Sequence, residues 1–346
     1  MNIRTKNTLG ALALCAAMLF MASSCAKEAT AGKNDSNKLY FESWMQVHHP
    51  LAVKSGLGIY VLDEMPGEGE PIPESDDLYL FVRYTTRNLE GTINGTTEAD
   101  IDKQLGDYAE SNYYGNDIIL TSRTSTSAGI LEMLDGMRIG GTKTAVIPGW
   151  LNVTEDYETE AEYLKKCTGD DMIVTLTVTG MTTDIYAWEI DTLERFAARY
   201  MDGVDSTYYG YYYKQLKAPT DSVSVPDDST FYINYTGRLM NGKVFDTTIA
   251  DTAKVWGIYS ASKTYAPVYI KTSSDYTEVT MSTDSSTEGS ELVDGFAYCL
   301  TQMMTHEKGI VAFYSGHGYG ASGSSPGIPK YAPISFEIEW VDDPEE

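Results

Sequence analysis

The chain has few of the residues that most enzymatic chemistries need. It has only four cysteines and four histidines among 346 residues. Cys15, Cys25, Cys167 and Cys299 form no CxxC pair and no metal-type spacing, and a few scattered histidines do not make a ligand set, so no metal and no cofactor are expected. A Cys167–Cys299 disulfide would tie two proposed domains together and nothing in the sequence supports it; both are read as buried or free thiols. Positive charge is also scarce, with 25 Lys and Arg against 50 Asp and Glu and a formal net charge of −25. Such a surface repels nucleic acid and anionic lipid. Beyond the N-terminus there is no long apolar run. What is abundant is tyrosine, 26 in all, which with the many threonines favours strands over helices. The length suggests two or three domains.

The one apolar run is Leu9–Met21, preceded by Arg4 and Lys6 and followed by Ala22-Ser-Ser-Cys25. It is too short for an ordinary membrane span and reads as a targeting segment over residues 1–25. Small residues ending in Cys resemble a bacterial lipobox, with Ala22 where Leu is commoner; that resemblance implies lipidation at Cys25. The other reading is a plain secretory signal cut near Ser24. Both take the protein out of the cytoplasm. The lipoprotein form implies the bacterial cell envelope, on the periplasmic side or the outer surface of the outer membrane. Residues 26–49, containing His48-His49, read as a tether.

Gly58–Leu62, Leu78–Tyr84, Thr142–Pro148 and Met172–Val178 are expected strands, and Ile130–Met137 has helical spacing. Ile190, Leu193, Phe196, Ala197 and Tyr200 recur near the helical period, so a helix is expected over Tyr186–Tyr200, capped by Asp191 or Thr192. Residues 186–205 are read as the connection between domains at 50–185 and 206–346. An internal repeat supports the division. Gly58-Ile-Tyr-Val-Leu, then Pro73 to Thr85, matches Gly210-Tyr-Tyr-Tyr-Lys, then Pro226 to Thr236; Ile130–Met137 parallels Phe296–Met303.

The most informative stretch is Phe231–Thr248. Phe231, Ile233 and Tyr235 alternate as on a half-buried strand, and Asn241-Gly242 supplies a tight turn into Lys243–Phe245. Tyr235-Thr-Gly, then Leu239, then Asn241-Gly-Lys-Val-Phe-Asp246, resembles the opening signature of the FKBP-type peptidyl-prolyl cis-trans isomerases, and the match runs on to the C-terminus. The resemblance implies an α+β fold of two FKBP-like domains, each an antiparallel β-sheet wrapped around a short α-helix.

The same resemblance assigns the site. Tyr235, Phe245, Asp246 and Tyr319 stand at catalytic positions. Leu292, Val293, Phe296, Ile328 and Phe336 stand at substrate-binding ones. Phe296 replaces the usual Trp of the pocket floor, and Ser324 and Ser325 lie near a loop position that is often His. Residues 249–290 are longer than in compact members and are expected to form a flap or extra hairpin, with Tyr269 a candidate for the remaining aromatic wall. The chemistry fits this composition, because rotating an X-Pro bond needs no nucleophile, metal or redox centre. It needs a dry pocket that holds the twisted amide better than the planar one against a barrier of roughly 18–20 kcal/mol. The implied partners are proline-containing polypeptide clients and, through the lipid anchor, the membrane.

Alternating aromatics on strands are more often plain core than a site. What is specific is their order together with Phe245-Asp246 and the Tyr319 loop. The other functional class is a non-catalytic binding or chaperone module that uses the same groove. Two further patterns are set aside. Gly318-Tyr-Gly-Ala-Ser-Gly323 spells a dinucleotide fingerprint, but Ser-Ser-Pro-Gly-Ile-Pro follows and cannot open the helix that fingerprint requires. Ser315 and His317 have no orienting third group. In the first domain, Tyr84 and Gly91 are kept, Asn94-Gly95 stands at the Phe-Asp pair and Ile130 at the pocket floor. That domain is read as inactive, binding clients, contacting the second domain or serving as a spacer.

Overall fold

The computed structural model describes residues 32–220, 229–273 and 278–344. They fall into two units, one of 32–51 with 156–168 and one of 52–155 with 169–344. Cys25 and the proposed targeting segment lie outside the described residues.

The small unit begins with helix α1 (Lys33–His48). The expected tether is therefore helical over most of its described length. No Pro or Gly interrupts the run, Asp35 places negative charge at the helix N-terminus, and Phe41 and Met45, one turn apart, are buried. Asn34 Nδ2 donates to the carbonyls of Tyr163 and Cys167 (3.2 and 2.8 Å), which tie α1 to the short helix that ends this unit.

The large unit contains two antiparallel sheets built on the same plan. The first comprises β1 (Tyr60–Met65), β2 (Tyr79–Arg87) and β3 (Ile93–Thr96), then after helix α2 (Ala99–Leu105) β4 (Asp117–Leu120). Helix α3 (Ala128–Leu134) and β5 (Thr142–Ile147) follow; α4 (Glu160–Lys166) belongs to the small unit, and β6 (Met172–Thr182) closes the sheet. Its order is β1-β5-β6-β2-β3, with β4 also on β2. Met133, Leu134 and Met137 pack with Leu80, Val82, Ile147, Val174 and Leu176 in its core.

Helix α5 (Ile185–Tyr200) leads to the second sheet. Its cap is Asp184, whose carboxylate accepts from Ala187 N (2.9 Å), and not Asp191 or Thr192. Those two lie about two turns inside the helix, where Asp191 pairs with Arg195 at 2.9 Å and the Thr192 hydroxyl donates to Trp188 O at 2.9 Å.

The second half contains β7 (Tyr211–Lys217), β8 (Thr230–Leu239), β9 (Val244–Thr247), helix α6 (Ala250–Val255), β10 (Val268–Thr272), β11 (Val279–Ser282) and β12 (Ser290–Glu291). Helix α7 (Asp294–Gln302), β13 (Lys308–Phe313) and β14 (Ile334–Val341) complete it. The order β12-β11-β10-β8-β14-β13-β7, with β9 also on β8, repeats the first sheet and extends it by two strands. Each half is thus an antiparallel sheet carrying one short helix on its apolar face.

The residues between 249 and 290 join the sheet, since β10 pairs with β8 on one side and β11 on the other. Part of this stretch is no insertion. Helix α6 and β10 have counterparts in α2 and β4, and each helix is followed by a stacked tyrosine pair. Tyr108 and Tyr114 lie 5.2 Å apart, Tyr259 and Tyr265 5.0 Å apart, both at 13°.

Candidate functional site

The site is built on β8, β9, α7 and β14. Strand alternation turns Phe231, Ile233 and Tyr235 inward, and β14 pairs with β8 so that Phe336 lies opposite Gly237 and Ile338 opposite Tyr235. Gly237 is decisive: a Cβ there would come within 2.7 Å of the Phe245 ring and 2.8 Å of the Phe336 ring. With no side chain at that point, both rings close over the backbone.

Four aromatic rings then meet edge to face. Phe296 is 4.6 Å from Phe336 at 87° and 5.6 Å from Tyr235 at 82°. Phe245 meets Phe336 at 5.6 Å and 90°, and Tyr235 meets Phe336 at 6.1 Å and 64°. Perpendicular rings place the positive edge of one on the negative face of the next, which fixes their positions beyond simple burial.

Phe296 enters from the first turn of α7. Gly295 before it leaves room for the Phe313 ring, 2.5 Å from where a Cβ would be. Tyr235, Phe296, Ile328 and Phe336 are buried, while Phe245, Leu292, Val293 and Tyr319 are half-buried and packed on the same cluster. The proposed residues therefore come together, with four of them reaching solvent at the rim.

The polar edge is made by Asp246. Its Oδ2 accepts from the Tyr235 hydroxyl at 2.6 Å and its Oδ1 from Thr247 N at 2.8 Å, and Lys263 Nζ forms an ion pair with it. Burial pushes the Tyr235 hydroxyl well above the usual tyrosine range, with the Asp246 charge adding to the effect. The hydroxyl thus stays a donor throughout the physiological pH range. Burial likewise raises Tyr319, with Asp246 a smaller cause. Tyr319 follows a single 3-10 turn, Ser315–His317, that is fixed from below. Ser315 N and Oγ donate to the two carboxylate oxygens of buried Glu189 at 2.6 and 2.7 Å. Ile328 exchanges two backbone hydrogen bonds of 2.8 Å with Ser324.

One expectation changes. Tyr269 does not line the pocket. It pairs with Tyr232, the rings 5.5 Å apart, on the face of the sheet away from Phe231 and Ile270. Asp246 is paired with Lys263 from the loop after α6, and a Tyr-x5-Tyr spacing at 108–114 and 259–265 marks that loop in the sequence.

In the first half the register superposes Tyr84 on Tyr235. Thr85 faces Thr96 as Thr236 faces Thr247, and Tyr84 N donates to Thr97 Oγ1 (2.9 Å) as Tyr235 N does to Thr248 Oγ1 (3.0 Å). Around this shared frame Thr86 replaces Gly237, Asn94-Gly95 replaces Phe245-Asp246, Ile130 replaces Phe296 and Val174 replaces Phe336. Among its described residues no tyrosine stands in for Tyr319.

No protein-family model matches the chain. Over 129 residues it is 28% identical to FK506-binding protein 1A of Aspergillus fumigatus, covering 37% of this chain and 90% of that protein. The three FKBP domains of wheat FKBP73 overlap 83% of this chain and 95% of their own, at 14% identity and a TM-score of 0.29. A peptidyl-prolyl cis-trans isomerase of Pseudomonas syringae overlaps 45% of this chain and 91% of its own, at 22% identity and a TM-score of 0.31. Both overlaps are too loose to carry a conclusion. The sequence match to the fungal protein, whose matched length is that of one half here, relates this chain to the FKBP-type peptidyl-prolyl cis-trans isomerases.

Proposed function

We propose that the second half, residues 206–346, catalyses cis–trans isomerisation of X-Pro bonds in polypeptides outside the cytoplasm. The observation that carries this reading is the perpendicular aromatic cluster of Tyr235, Phe245, Phe296 and Phe336 with Asp246 at its edge. A prolyl ring seated on Phe296 leaves water, and its amide loses the solvation that favours the planar, charge-separated form. The Tyr319 hydroxyl, at the rim, donates to a carbonyl of the bound chain and holds the peptide while the bond turns. Tyr235 fixes the Asp246 carboxylate so that it does not collapse into the pocket. The uncatalysed exchange takes on the order of tens to hundreds of seconds, so a modest gain in twisted-state binding is a measurable rate.

The first half, residues 50–185, lacks the aromatic floor and the Phe-Asp pair and is assigned no catalysis. Lipidation at Cys25 is supported by the order of charged, apolar and small residues before it, and it places the isomerase on a cell-envelope membrane. Labelling with a lipid precursor, lost on Cys25→Ala, tests that part.

For the catalytic part, two-dimensional exchange NMR of a short proline peptide is recorded with the full chain and with Tyr319→Phe. Faster exchange that falls several-fold in the variant supports the reading. A folded chain that binds the peptide and leaves its exchange rate unchanged favours the second reading, a binding module that uses the same groove.

A further inference from the structure

The two halves share the loop that joins the helix after β3 or β9 to the next strand, but they use it differently. In the second half the loop Tyr259–Tyr265 turns back on its own site, where Lys263 pairs with Asp246. In the first half the equivalent loop is Tyr108–Tyr114. Its fold is the same: Ala109 N donates to the Tyr114 hydroxyl (3.4 Å) as Ser260 N does to that of Tyr265 (3.0 Å). It has no carboxylate of its own to answer, because Gly95 stands where Asp246 does.

This loop instead reaches the second half's site. Tyr113 N donates to Pro326 O at 2.8 Å, two residues before the pocket residue Ile328. The Tyr113 side chain packs on the cluster that contains Tyr235, Ile328 and Phe336. Lys243, two residues before Phe245, gives its ammonium to Asn112 O and lies 5.9 Å from the Tyr114 ring centre. Gly327 lies between the two halves at this point, with Ser111 O and the Phe245 Cβ 3.1 and 3.8 Å from its Cβ position. Glu110 reaches as far as Gly257, at the end of α6. The contact continues behind the site, where Lys330 meets Asp117 at 3.4 Å and the Tyr79 and Tyr331 rings meet edge to face at 5.4 Å. A cavity of about 170 Å³ remains between the halves, lined by Tyr113 and Ile118 on one side and Leu239, Pro329 and Ala332 on the other.

We propose that the Tyr108–Tyr114 loop of the first half is a working edge of the second half's site, with Tyr113 contacting the polypeptide next to the bound proline and selecting among flanking residues. The inference rests on the isomerase-site reading, but it concerns binding and not rate. The loop touches the Phe245 and Ile328 side of the site, while Leu292, Val293 and Tyr319 at the rest of the rim remain half-exposed. It therefore narrows the groove along one wall and leaves the mouth open. In these terms the first half is neither a spacer nor an independent binder. It supplies the edge that a single half lacks.

The test uses the full chain and the tetrapeptide Ala-Leu-Pro-Phe, with its dissociation constant measured by NMR titration and its cis–trans exchange read in the same samples. The unaltered chain is expected to show nuclear Overhauser contacts between the peptide residues beside proline and the Tyr113 ring, a reading that needs no variant. Tyr113→Ala is expected to weaken binding roughly tenfold, as truncation of an aromatic anchor does, while Tyr113→Phe stays within about twofold. Binding of Tyr113→Ala equal to or tighter than that of the parent, without contacts to Tyr113, overturns the proposal; tighter binding would make the loop a plug. A peptide that binds with these contacts but exchanges no faster sinks catalysis and leaves the edge standing. A peptide that does not bind the unaltered chain overturns both.

Discussion

The two halves share a six-strand sheet plan, the same buried helix and the same threonine clasp between the second and third strands, yet only one gathers a cluster of aromatic rings at that place. The difference lies in a few positions on a common frame. At the centre is the residue after the paired threonine: Gly237 admits the Phe245 and Phe336 rings, whereas Thr86 stands there in the first half and donates its hydroxyl to Gly95 O at 3.4 Å. Once that side chain is present two rings cannot close over the strand, and Asn94 and Val174 occupy their places. A pocket of this kind is therefore made by removing a Cβ as much as by adding aromatics.

The largest expected effect separates the two helix positions. Phe296 is 2% exposed and touches two rings, so Phe296→Ala should cost about 3–5 kcal/mol by chemical denaturation and abolish peptide exchange. Ile130→Ala, at the half-buried equivalent, should cost less and leave exchange unchanged. Equal costs would mean that the halves are alike at the floor.

Next comes Glu189, fully buried at the end of its bonds to Ser315. Burial raises its carboxyl to about 7, against which the two Ser315 hydrogen bonds work. Below pH about 4.5 the proton is held in both folded and unfolded chains. Between there and pH about 7 the unfolded chain gives it up first, so stability falls with rising pH and levels off above. Glu189→Gln, which cannot ionise, should erase up to about 3 kcal/mol of that decline, read as denaturation midpoints across pH. An unchanged pH profile would place the group's titration in the ordinary carboxylate range.

The paired glycines before the floor residue sharpen the likeness. A Cβ at Gly295 would stand 2.5 Å from the Phe313 ring and one at Gly129 2.4 Å from Ile147. Either glycine changed to alanine should lower stability by about 1–3 kcal/mol, and by similar amounts, because they crowd equivalent strands, β13 and β5. Tyr235→Phe follows, with roughly 1.5–3 kcal/mol for a buried bond to a charged acceptor, offset in part by the Lys263 pair. Its signature is slower exchange with little change in peptide affinity. Tyr84→Phe in the first half should leave exchange untouched. The smallest effect belongs to Lys263→Ala. Its ion pair with Asp246 is more than a third exposed on both sides, so it should matter by less than about 1 kcal/mol and fade with salt.

Much of this contrast can be read in the sequence. Strand alternation at Phe231, Ile233 and Tyr235 and the Asn241-Gly242 turn locate β8 and β9, whereas the site residues are assigned by the family resemblance and not by the alternation. The helical spacing of Ile190 to Tyr200 locates α5. Other features depend on contacts distant in sequence. Helix α1 lies in a polar run with little periodic pattern, and it is held by contacts distant in sequence: the burial of Phe41 and Met45 and the Asn34 bonds to Tyr163 and Cys167. The Asp184 cap lies before the periodic residues begin. Lys263 meets Asp246 because α6 turns the chain back, and Tyr113 reaches Pro326 because β4 starts where it does; neither pairing has a local signature. Tyr269 fails as a wall for the simplest reason: strand register with Tyr232 puts it on the other face.

The most direct test of the contrast is the exchange rate of a proline peptide with the full chain, set beside Phe245→Ala in the second half and Asn94→Ala at the same position in the first. The proposed function predicts acceleration by the unaltered chain, a loss of at least about tenfold in Phe245→Ala, consistent with an anchor worth more than about 1.4 kcal/mol, and no loss in Asn94→Ala. Equal loss in both variants, or undiminished acceleration in Phe245→Ala, would contradict the claim that the second half alone holds the isomerase pocket.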